Sequence, residues 1–246
     1  MKRQCILFDG EWLEADGPFL HGLTPGVRKR CGAFETLRIS AGHVRDLGAH
    51  YRRLCRGLRV LAIPAPWTKK ALEDLIRILL SRAPDAGRLR VMVWHDRSRP
   101  HWSLVPGEYT PPGPELYARG VNVLLVPVRK EFGKEDGIFK PLDYALYRRA
   151  FERARRCGCF EALLYRKDGR IIDGSRSSLL LLTDNALVVP PAGYGTLDGL
   201  MRRKVIALAC AAGLRVSRRN VFTRDLALAR GAWLVNSLVG MIRIKL

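Results

Sequence analysis

The stretch Phe139-Lys140-Pro141-Leu142-Asp143-Tyr144 lies between an apolar run over residues 121–128 and a predicted amphipathic helix over 143–157. The chain contains ten lysines against 33 arginines, so a lysine kept between hydrophobic neighbours indicates a position where arginine would not serve. A desolvated lysine amine can lose its proton and attack a carbonyl carbon, whereas a guanidinium cannot. Lys140 is therefore a candidate for covalent chemistry. From this stretch alone, an ordinary surface lysine is the equal alternative.

Composition limits the class of protein. The 246 residues, 48% of them hydrophobic, suffice for one large domain or two modest ones with a real core. No apolar run approaches the roughly 18 residues that a membrane span needs, and the N-terminal sequence breaks at Asp9 before a signal-peptide core forms. The six cysteines lack a zinc-binding spacing, which predicts no metal site and reduced thiols in a cytoplasmic protein.

The net charge of +20 raises the question of a nucleic-acid partner. However, the arginines are scattered through every segment, and no zinc finger, helix-turn-helix or aromatic-interleaved basic strand is present. A nucleic-acid partner is therefore disfavoured. Attraction of anionic small molecules is the expected consequence of the charge.

Hydrophobic periodicity and turn residues predict an α+β fold. In the first half we predict strands over 4–9, 11–14, 34–39 and 88–94, a helix that Asp46 caps, and a helix from Thr68 to about 82. Residues 96–114 are rich in Pro, Gly, Arg and His and are predicted to be irregular. We place a domain boundary near 114–119, which gives a small domain over 1–114 and a larger one over 120–246 that carries Lys140.

In the second half the predicted helices cover 143–157 and 199–212, with Gly213 after the second helix. The predicted strands cover 121–128, 160–166, 170–173, 178–183, 186–189, 214–219 and 231–235.

Several separated motifs share one order with a known family. They are Gly32-Ala33-Phe34-Glu35-Thr36, His50-Tyr51-Arg52-Arg53-Leu54, the Lys140 stretch, Asp173-Gly174-Ser175-Arg176-Ser177-Ser178, Gly195-Thr196-Leu197-Asp198-Gly199-Leu200-Met201-Arg202, and Asn236-Ser237-Leu238. In this order the chain resembles the class IV (fold type IV) pyridoxal-phosphate enzymes. That family includes branched-chain and D-amino-acid aminotransferases and 4-amino-4-deoxychorismate lyase. The resemblance implies two domains with pyridoxal 5′-phosphate at their interface.

The resemblance also implies roles for particular residues. Lys140 matches the Schiff-base lysine that moves the substrate proton, and Tyr144 matches a tyrosine near the cofactor ring. Arg53 matches the arginine that contacts the cofactor phosphate. The backbone of Gly199, Leu200 and Met201 matches the helix start that binds this phosphate, and Asn236 and Ser237 match a loop on the phosphate side.

Asp173 matches the family's glutamate beside the pyridine nitrogen, and Ser175 belongs to the same cofactor-binding motif. The chain departs from the family at three points. Aspartate replaces that glutamate, Ser178 replaces an asparagine, and Met201 replaces a threonine.

The expected reaction is cleavage of 4-amino-4-deoxychorismate to 4-aminobenzoate and pyruvate, because the short chain and the loop at 236–240 resemble the lyase. A substrate with two carboxylates suits a basic site that includes Arg97. The alternative is a D-amino-acid aminotransferase, because Arg99-Pro100-His101 resembles that enzyme's carboxylate-binding pair, although Phe34 stands where those enzymes have a tyrosine. A branched-chain aminotransferase and a non-catalytic member of the family are further alternatives.

The resemblance finally implies a homodimer whose subunits complete each other's sites. We expect its interface near the loop at 22–32 and the segment at 97–101.

Overall fold

The computed structural model describes residues 4–15, 31–96 and 99–246. The chain divides into two compact units: Met1–Thr110 together with Phe139–Tyr144, and Pro111–Ile138 together with Ala145–Leu246. The sequence prediction placed Lys140 in the C-terminal domain. In the structure the short segment that contains Lys140 packs with the first unit.

The first unit is an antiparallel sheet covered by two helices. Its elements are β1 (Gln4–Phe8), β2 (Glu11–Ala15), β3 (Cys31–Ser40), β4 (His43–Val44), α1 (Leu47–Val60), α2 (Lys69–Arg82), β5 (Arg88–His95) and β6 (Pro100–Gly107). The strand order is β2-β1-β6-β5-β3-β4. Along β3, Ala33 joins the core that contains helix residues such as Leu54, while Phe34 joins a separate cluster with Met92 and Trp94. This alternation gives the sheet two apolar faces.

The first unit departs from the sequence prediction at two points. Residues 100–107 form β6, although their composition indicated irregular structure. Pairing with β5 along the whole strand, which buries Leu104, outweighs local propensity. Asp46 adopts a left-handed conformation with φ of 58° and makes no side-chain cap; its carbonyl oxygen instead accepts the N–H groups of Ala49 and His50. The Thr68 cap is confirmed, because its hydroxyl accepts the N–H of Ala71 at 3.2 Å.

The second unit contains two sheets. Its elements are α3 (Pro114–Arg119), β7 (Val123–Pro127), α4 (Ala145–Arg156), β8 (Glu161–Tyr165), β9 (Ile171–Gly174), β10 (Ser178–Leu182), β11 (Leu187–Val189), α5 (Leu200–Ala211), β12 (Val216–Arg218), α6 (Thr223–Ala227), β13 (Gly231–Asn236) and β14 (Gly240–Ile244). The sheets have the orders β7-β8-β9 and β12-β11-β10-β13-β14. The sequence prediction missed α3 and β14. Across the described ranges, no helix is long and apolar enough to cross a bilayer.

Backbone pairing places Lys140 beside β3. The N–H of Phe34 donates to the carbonyl oxygen of Lys140 at 2.9 Å, and the N–H of Leu142 donates to that of Gly32 at 3.0 Å. A Cβ at Gly32 would lie 2.5 Å from both the Val93 carbonyl oxygen and the Leu142 side chain, so only glycine allows this approach.

Gly57→Ala tests whether the Lys140 segment depends on close packing against α1. A Cβ at Gly57 would lie 2.6 Å from the Cβ of Phe139. Alanine normally stabilises a helix interior by about 1 kcal/mol relative to glycine, but this overlap should cost about 1–3 kcal/mol. We therefore expect a lower free energy of unfolding in urea denaturation.

Gly48→Ala is the matched control in the same helix. There the nearest atom to an added Cβ is 3.5 Å away, at the end of the Lys69 side chain. This variant should be neutral or more stable. Equal stabilisation by both substitutions would contradict the packing argument.

Candidate active site

The amine of Lys140 lies in an aromatic corner of the first unit. Its Nζ is 5.4 Å from the ring centroid of Phe34 and 5.7 Å from that of Tyr144. The two rings meet edge to face with centroids 5.5 Å apart. Tyr144 precedes α4, which begins at Ala145, rather than lying inside a helix that begins at 143 as predicted. The sequence-predicted residues Phe34, Lys140 and Tyr144 are thus brought together.

Arg90 is a second cation at this corner, and sequence reasoning missed it. Its Cζ lies 4.5 Å from the ring centroid of Phe34. Arg90 alternates along β5 with the buried Val91 and thus shares a face with Met92. An arginine in phase with the apolar residues of a strand is the signal that could have identified it.

Arg53 is buried and fixed by Glu35. Its Nε and Nη2 donate to the two carboxylate oxygens of Glu35, each at 2.7 Å, and Nδ1 of His50 lies 2.7 Å from Oε2. Burial alone would raise the pKa of Glu35, but the charge and hydrogen bonds of Arg53, with those of His50, lower that pKa to about 2. The sequence analysis gave Glu35 no role. Here it sets the plane of the guanidinium predicted to contact phosphate.

His101 and Arg99 are held by carboxylates of their own unit. The two ring nitrogens of His101 lie 2.6 Å from Asp9 and 2.8 Å from Asp96. Nη2 of Arg99 lies 3.2 Å from the same Asp9 oxygen. His101 also stacks on Trp94, with ring centroids 5.7 Å apart. The predicted carboxylate-binding pair is therefore engaged by Asp9 and Asp96. Arg97, the third predicted cation, lies outside the described residues.

Asp173 is a buried carboxylate at the end of β9, in the second unit. Its Oδ1 accepts the N–H of Gly174 at 3.2 Å and its Oδ2 accepts the N–H of Leu197 at 3.0 Å. Burial raises its pKa to about 7, opposed by the Leu197 N–H and the charge of Arg202. A carboxylate this sensitive to its surroundings would gain from a cationic partner such as a protonated pyridine.

The start of α5 offers backbone donors. Gly199 is the N-cap, makes no side-chain cap and has no acidic residue in the following turn. The N–H of Gly199 itself donates to the carbonyl oxygen of Leu197 at 2.8 Å. The next N–H groups, those of Leu200 and Met201, have no intrahelical acceptor, and such groups favour an anion. A Cβ at Gly199 would lie 3.0 Å from the Ser178 hydroxyl. Met201, where the family has a threonine, packs its side chain against the cluster around Leu180.

Two of the remaining predicted residues, Ser175 and Asn236, form hydrogen bonds with the backbone. The Ser175 hydroxyl accepts the N–H of Ala162 at 3.3 Å. The Asn236 side chain bonds the backbone of Leu238 and Val239, and Ser237 lies in the turn between β13 and β14. These bonds shape loops, and the predicted cofactor contacts of these residues stay predictions.

The residues present fit pyridoxal phosphate. This group needs an amine for its aldehyde, a carboxylate for its pyridine nitrogen and N–H donors for its phosphate. Lys140, Asp173 and the first turn of α5 are of these types. Six buried side-chain polar atoms lack a hydrogen-bond partner in the described part of the chain, and two of them are Nε2 of His50 and Nε of Arg202 on α5. Both are donors or acceptors available to a bound group.

These features define a pyridoxal-phosphate-dependent enzyme of fold type IV. Comparison with known proteins leads to the same class. The family model described as amino-transferase class IV matches residues 32–246, so the chain belongs to that family. A solved structure titled a hypothetical aminotransferase from Mycobacterium tuberculosis, in its PLP-bound form, has a TM-score of 0.79 at 26% identity and covers 98% of this chain and 89% of that one. The cofactor of this enzyme is pyridoxal phosphate.

Curated relatives carry names for more than one reaction. The chain is 26% identical to the "Bifunctional aminodeoxychorismate lyase / D-amino acid transaminase" of Mycobacterium tuberculosis, over 97% of this chain and 89% of the relative. It is 24% identical to the "Probable branched-chain-amino-acid aminotransferase" of Thermotoga maritima, over 86% of this chain and 76% of the relative. The family is therefore shown, while the roles of individual site residues and the homodimer stay predictions.

Asp173→Asn tests the burial of this carboxylate in the cofactor-free protein. A pKa near 7 in the folded chain, above the ordinary value of 3.8, means that the folded state binds a proton more tightly between these pH values. The free energy of unfolding should therefore fall as pH rises from about 4 to 7. Wild type should lose up to about 4 kcal/mol relative to the variant over this range, measured by urea denaturation.

Asp168→Asn removes an exposed aspartate from the turn before β9 and is the control. It should leave the pH dependence of wild type unchanged. A difference between wild type and Asp173→Asn that stays constant with pH would contradict the buried, proton-binding carboxylate.

Proposed function

We propose that the enzyme is a lyase that converts 4-amino-4-deoxychorismate into 4-aminobenzoate and pyruvate. When bound, pyridoxal phosphate withdraws electrons from the substrate carbon that carries the amino group. The Lys140 amine takes the proton from this carbon. The Asp173 carboxylate keeps the pyridine nitrogen protonated. Enolpyruvate then leaves from the neighbouring carbon and is protonated to pyruvate, and the remaining ring becomes aromatic.

The observation that carries the proposal is the engagement of Arg99 and His101. A D-amino-acid transaminase of this family would use these two side chains to bind the substrate carboxylate. Here Asp9 bonds both of them, and Asp96 takes the other nitrogen of His101. A carboxylate of the substrate would have to displace carboxylates of the protein, which disfavours that reaction.

Arg90 supports a dicarboxylate substrate. It shares the Phe34 ring with Lys140, so a cation lies on the same side of the sheet as the reacting amine. Arginine binds carboxylates through paired hydrogen bonds. The lyase reaction also needs no keto acid as a second substrate, so one cationic binding site for a single anionic substrate is enough.

Transamination is the second candidate. The name of the Mycobacterium tuberculosis relative includes a D-amino-acid transaminase activity beside the lyase activity. Both reactions begin with the same proton removal by the lysine. They differ in whether a group leaves the substrate or the proton returns to the cofactor.

The deciding assay supplies 4-amino-4-deoxychorismate to the pyridoxal-phosphate-loaded enzyme and follows 4-aminobenzoate. Parallel reactions contain D- and L-amino acids with 2-oxoglutarate. We expect 4-aminobenzoate from wild type and none from Lys140→Arg, because a guanidinium cannot replace the amine. Rapid transamination without formation of 4-aminobenzoate would overturn the lyase proposal. The absence of activity in both assays would favour a non-catalytic member of the family.

A further inference from the structure

Glu161 is a buried carboxylate to which the proposed reaction gives no role. It begins β8, followed by the apolar residues Ala162, Leu163 and Leu164, and it is 1% exposed. Burial raises its pKa, opposed by the N–H of Arg176 and the hydroxyl and N–H of Ser177. The charge of Arg176 also opposes this rise. A buried carboxylate is costly unless hydrogen bonds hold it, so the hydrogen bonds of Glu161 indicate its purpose.

Within the described residues, the hydrogen bonds of this carboxylate go to the turn that follows Asp173. Oε1 accepts the N–H groups of Arg176 at 2.6 Å and Ser177 at 2.8 Å, and Oε2 accepts the Ser177 hydroxyl at 2.7 Å. The fit is tight at Gly174, where a Cβ would lie 2.6 Å from Oε1. Gly174 is also the residue whose N–H bonds the carboxylate of Asp173.

The same serine continues the chain of bonds to a second loop. The Ser177 hydroxyl donates to Glu161, so its oxygen can accept the Nδ2 of Asn236, 2.9 Å away. Oδ1 of Asn236 accepts the N–H groups of Leu238 and Val239, each at 2.8 Å. Each group in this series of hydrogen bonds has one orientation that satisfies its partners. Fixing the Glu161 carboxylate therefore fixes the orientation of the Ser177 hydroxyl and of the Asn236 amide.

We propose that Glu161 is a positioning residue which, through Ser177 and Asn236, holds the Asp173 turn and the loop at 236–239 in one arrangement that binds pyridoxal phosphate. The two loops carry the residues assigned to the pyridine nitrogen and to the phosphate side. Glu161 holds the first loop directly, through the N–H groups of Arg176 and Ser177, and it is linked to the second loop through the Ser177 hydroxyl. The proposal goes beyond the reaction proposed above, because it concerns cofactor affinity and holds for a lyase or a transaminase.

The test is a double-mutant cycle on the affinity for pyridoxal phosphate, measured by titration of the visible absorption of the protein-bound cofactor. Glu161→Gln keeps the size of the side chain and an oxygen for the backbone N–H groups, but removes the acceptor of the Ser177 hydroxyl. Asn236→Ala removes the amide at the other end of this series of hydrogen bonds. Each variant should weaken binding by about tenfold or more, which corresponds to about 1.4 kcal/mol.

Residues without shared partners usually act additively. If Glu161 and Asn236 act through the same serine, the loss of cofactor affinity in the double variant should be at least about threefold smaller than the product of the two single losses. In a Ser177→Ala background this coupling should vanish. Additive losses in the wild-type background, or coupling that persists without the Ser177 hydroxyl, would overturn the proposal.

Thermal unfolding of each cofactor-free variant separates positioning from general stability. Ser103→Ala is the matched control, because Ser103 is a buried strand serine whose hydroxyl has no hydrogen-bond partner in the described chain. Cofactor affinity should fall for Ser177→Ala and stay unchanged for Ser103→Ala. If Asn236→Ala does not fold, Asn236→Asp takes its place, since it keeps the oxygen for Leu238 and Val239 and loses only the donor to Ser177. Absence of lyase activity leaves this test intact, because the readout is binding.

Discussion

Two backbone hydrogen bonds between the 139–144 segment and β3 determine where the reactive lysine lies. They join Phe34 to Lys140 and Gly32 to Leu142, and so place a short extended segment alongside the first residues of β3. Side chains of an extended segment alternate, so Phe139 packs with the helix-side core while Lys140 meets the rings of Phe34 and Tyr144. Glycines at positions 32 and 57 make room for this approach, because any side chain there would overlap the segment.

Buried carboxylates set the electrostatics of a strongly basic chain. Three of them, Glu35, Asp173 and Glu161, are each bound differently. Glu35 accepts two hydrogen bonds from the Arg53 guanidinium and is also bonded to the His50 imidazole, and these partners lower its pKa. Asp173 accepts two backbone N–H groups in the described chain, and burial raises its pKa although the charge of Arg202 opposes the rise. Asp173 is thus a carboxylate that an added cation would stabilise, which is the property a partner of a protonated pyridine needs.

Local patterns predicted much of the fold, and tertiary pairing accounts for what they missed. The strands β3 and β5, the Thr68 cap and the glycine after α5 all follow from short-range rules and are confirmed. Strand β6 was missed because its stability comes from pairing with β5 rather than from its composition. Asp46 is the N-cap residue of α1 as predicted, but its side chain makes no cap, and the chain turns from β4 into α1 through its left-handed backbone, a conformation that aspartate tolerates.

The candidate site was predicted from motifs rather than from geometry. Motifs gave Lys140, Arg53 and Asp173, but they could not show that Asp9 engages Arg99 and His101, since these residues are far apart in sequence. Arg90 and Glu161 were missed although each is a charged residue in an apolar strand, which is the rarer and more informative pattern.

The account depends most directly on Lys140 as the residue that binds the cofactor aldehyde. The decisive measurement is borohydride reduction of the enzyme loaded with pyridoxal phosphate, followed by proteolysis and mass spectrometry of the labelled peptide. The account predicts a single pyridoxyl label on Lys140 and none in Lys140→Arg. A label on another lysine, or a folded protein that takes up no pyridoxal phosphate, would contradict it.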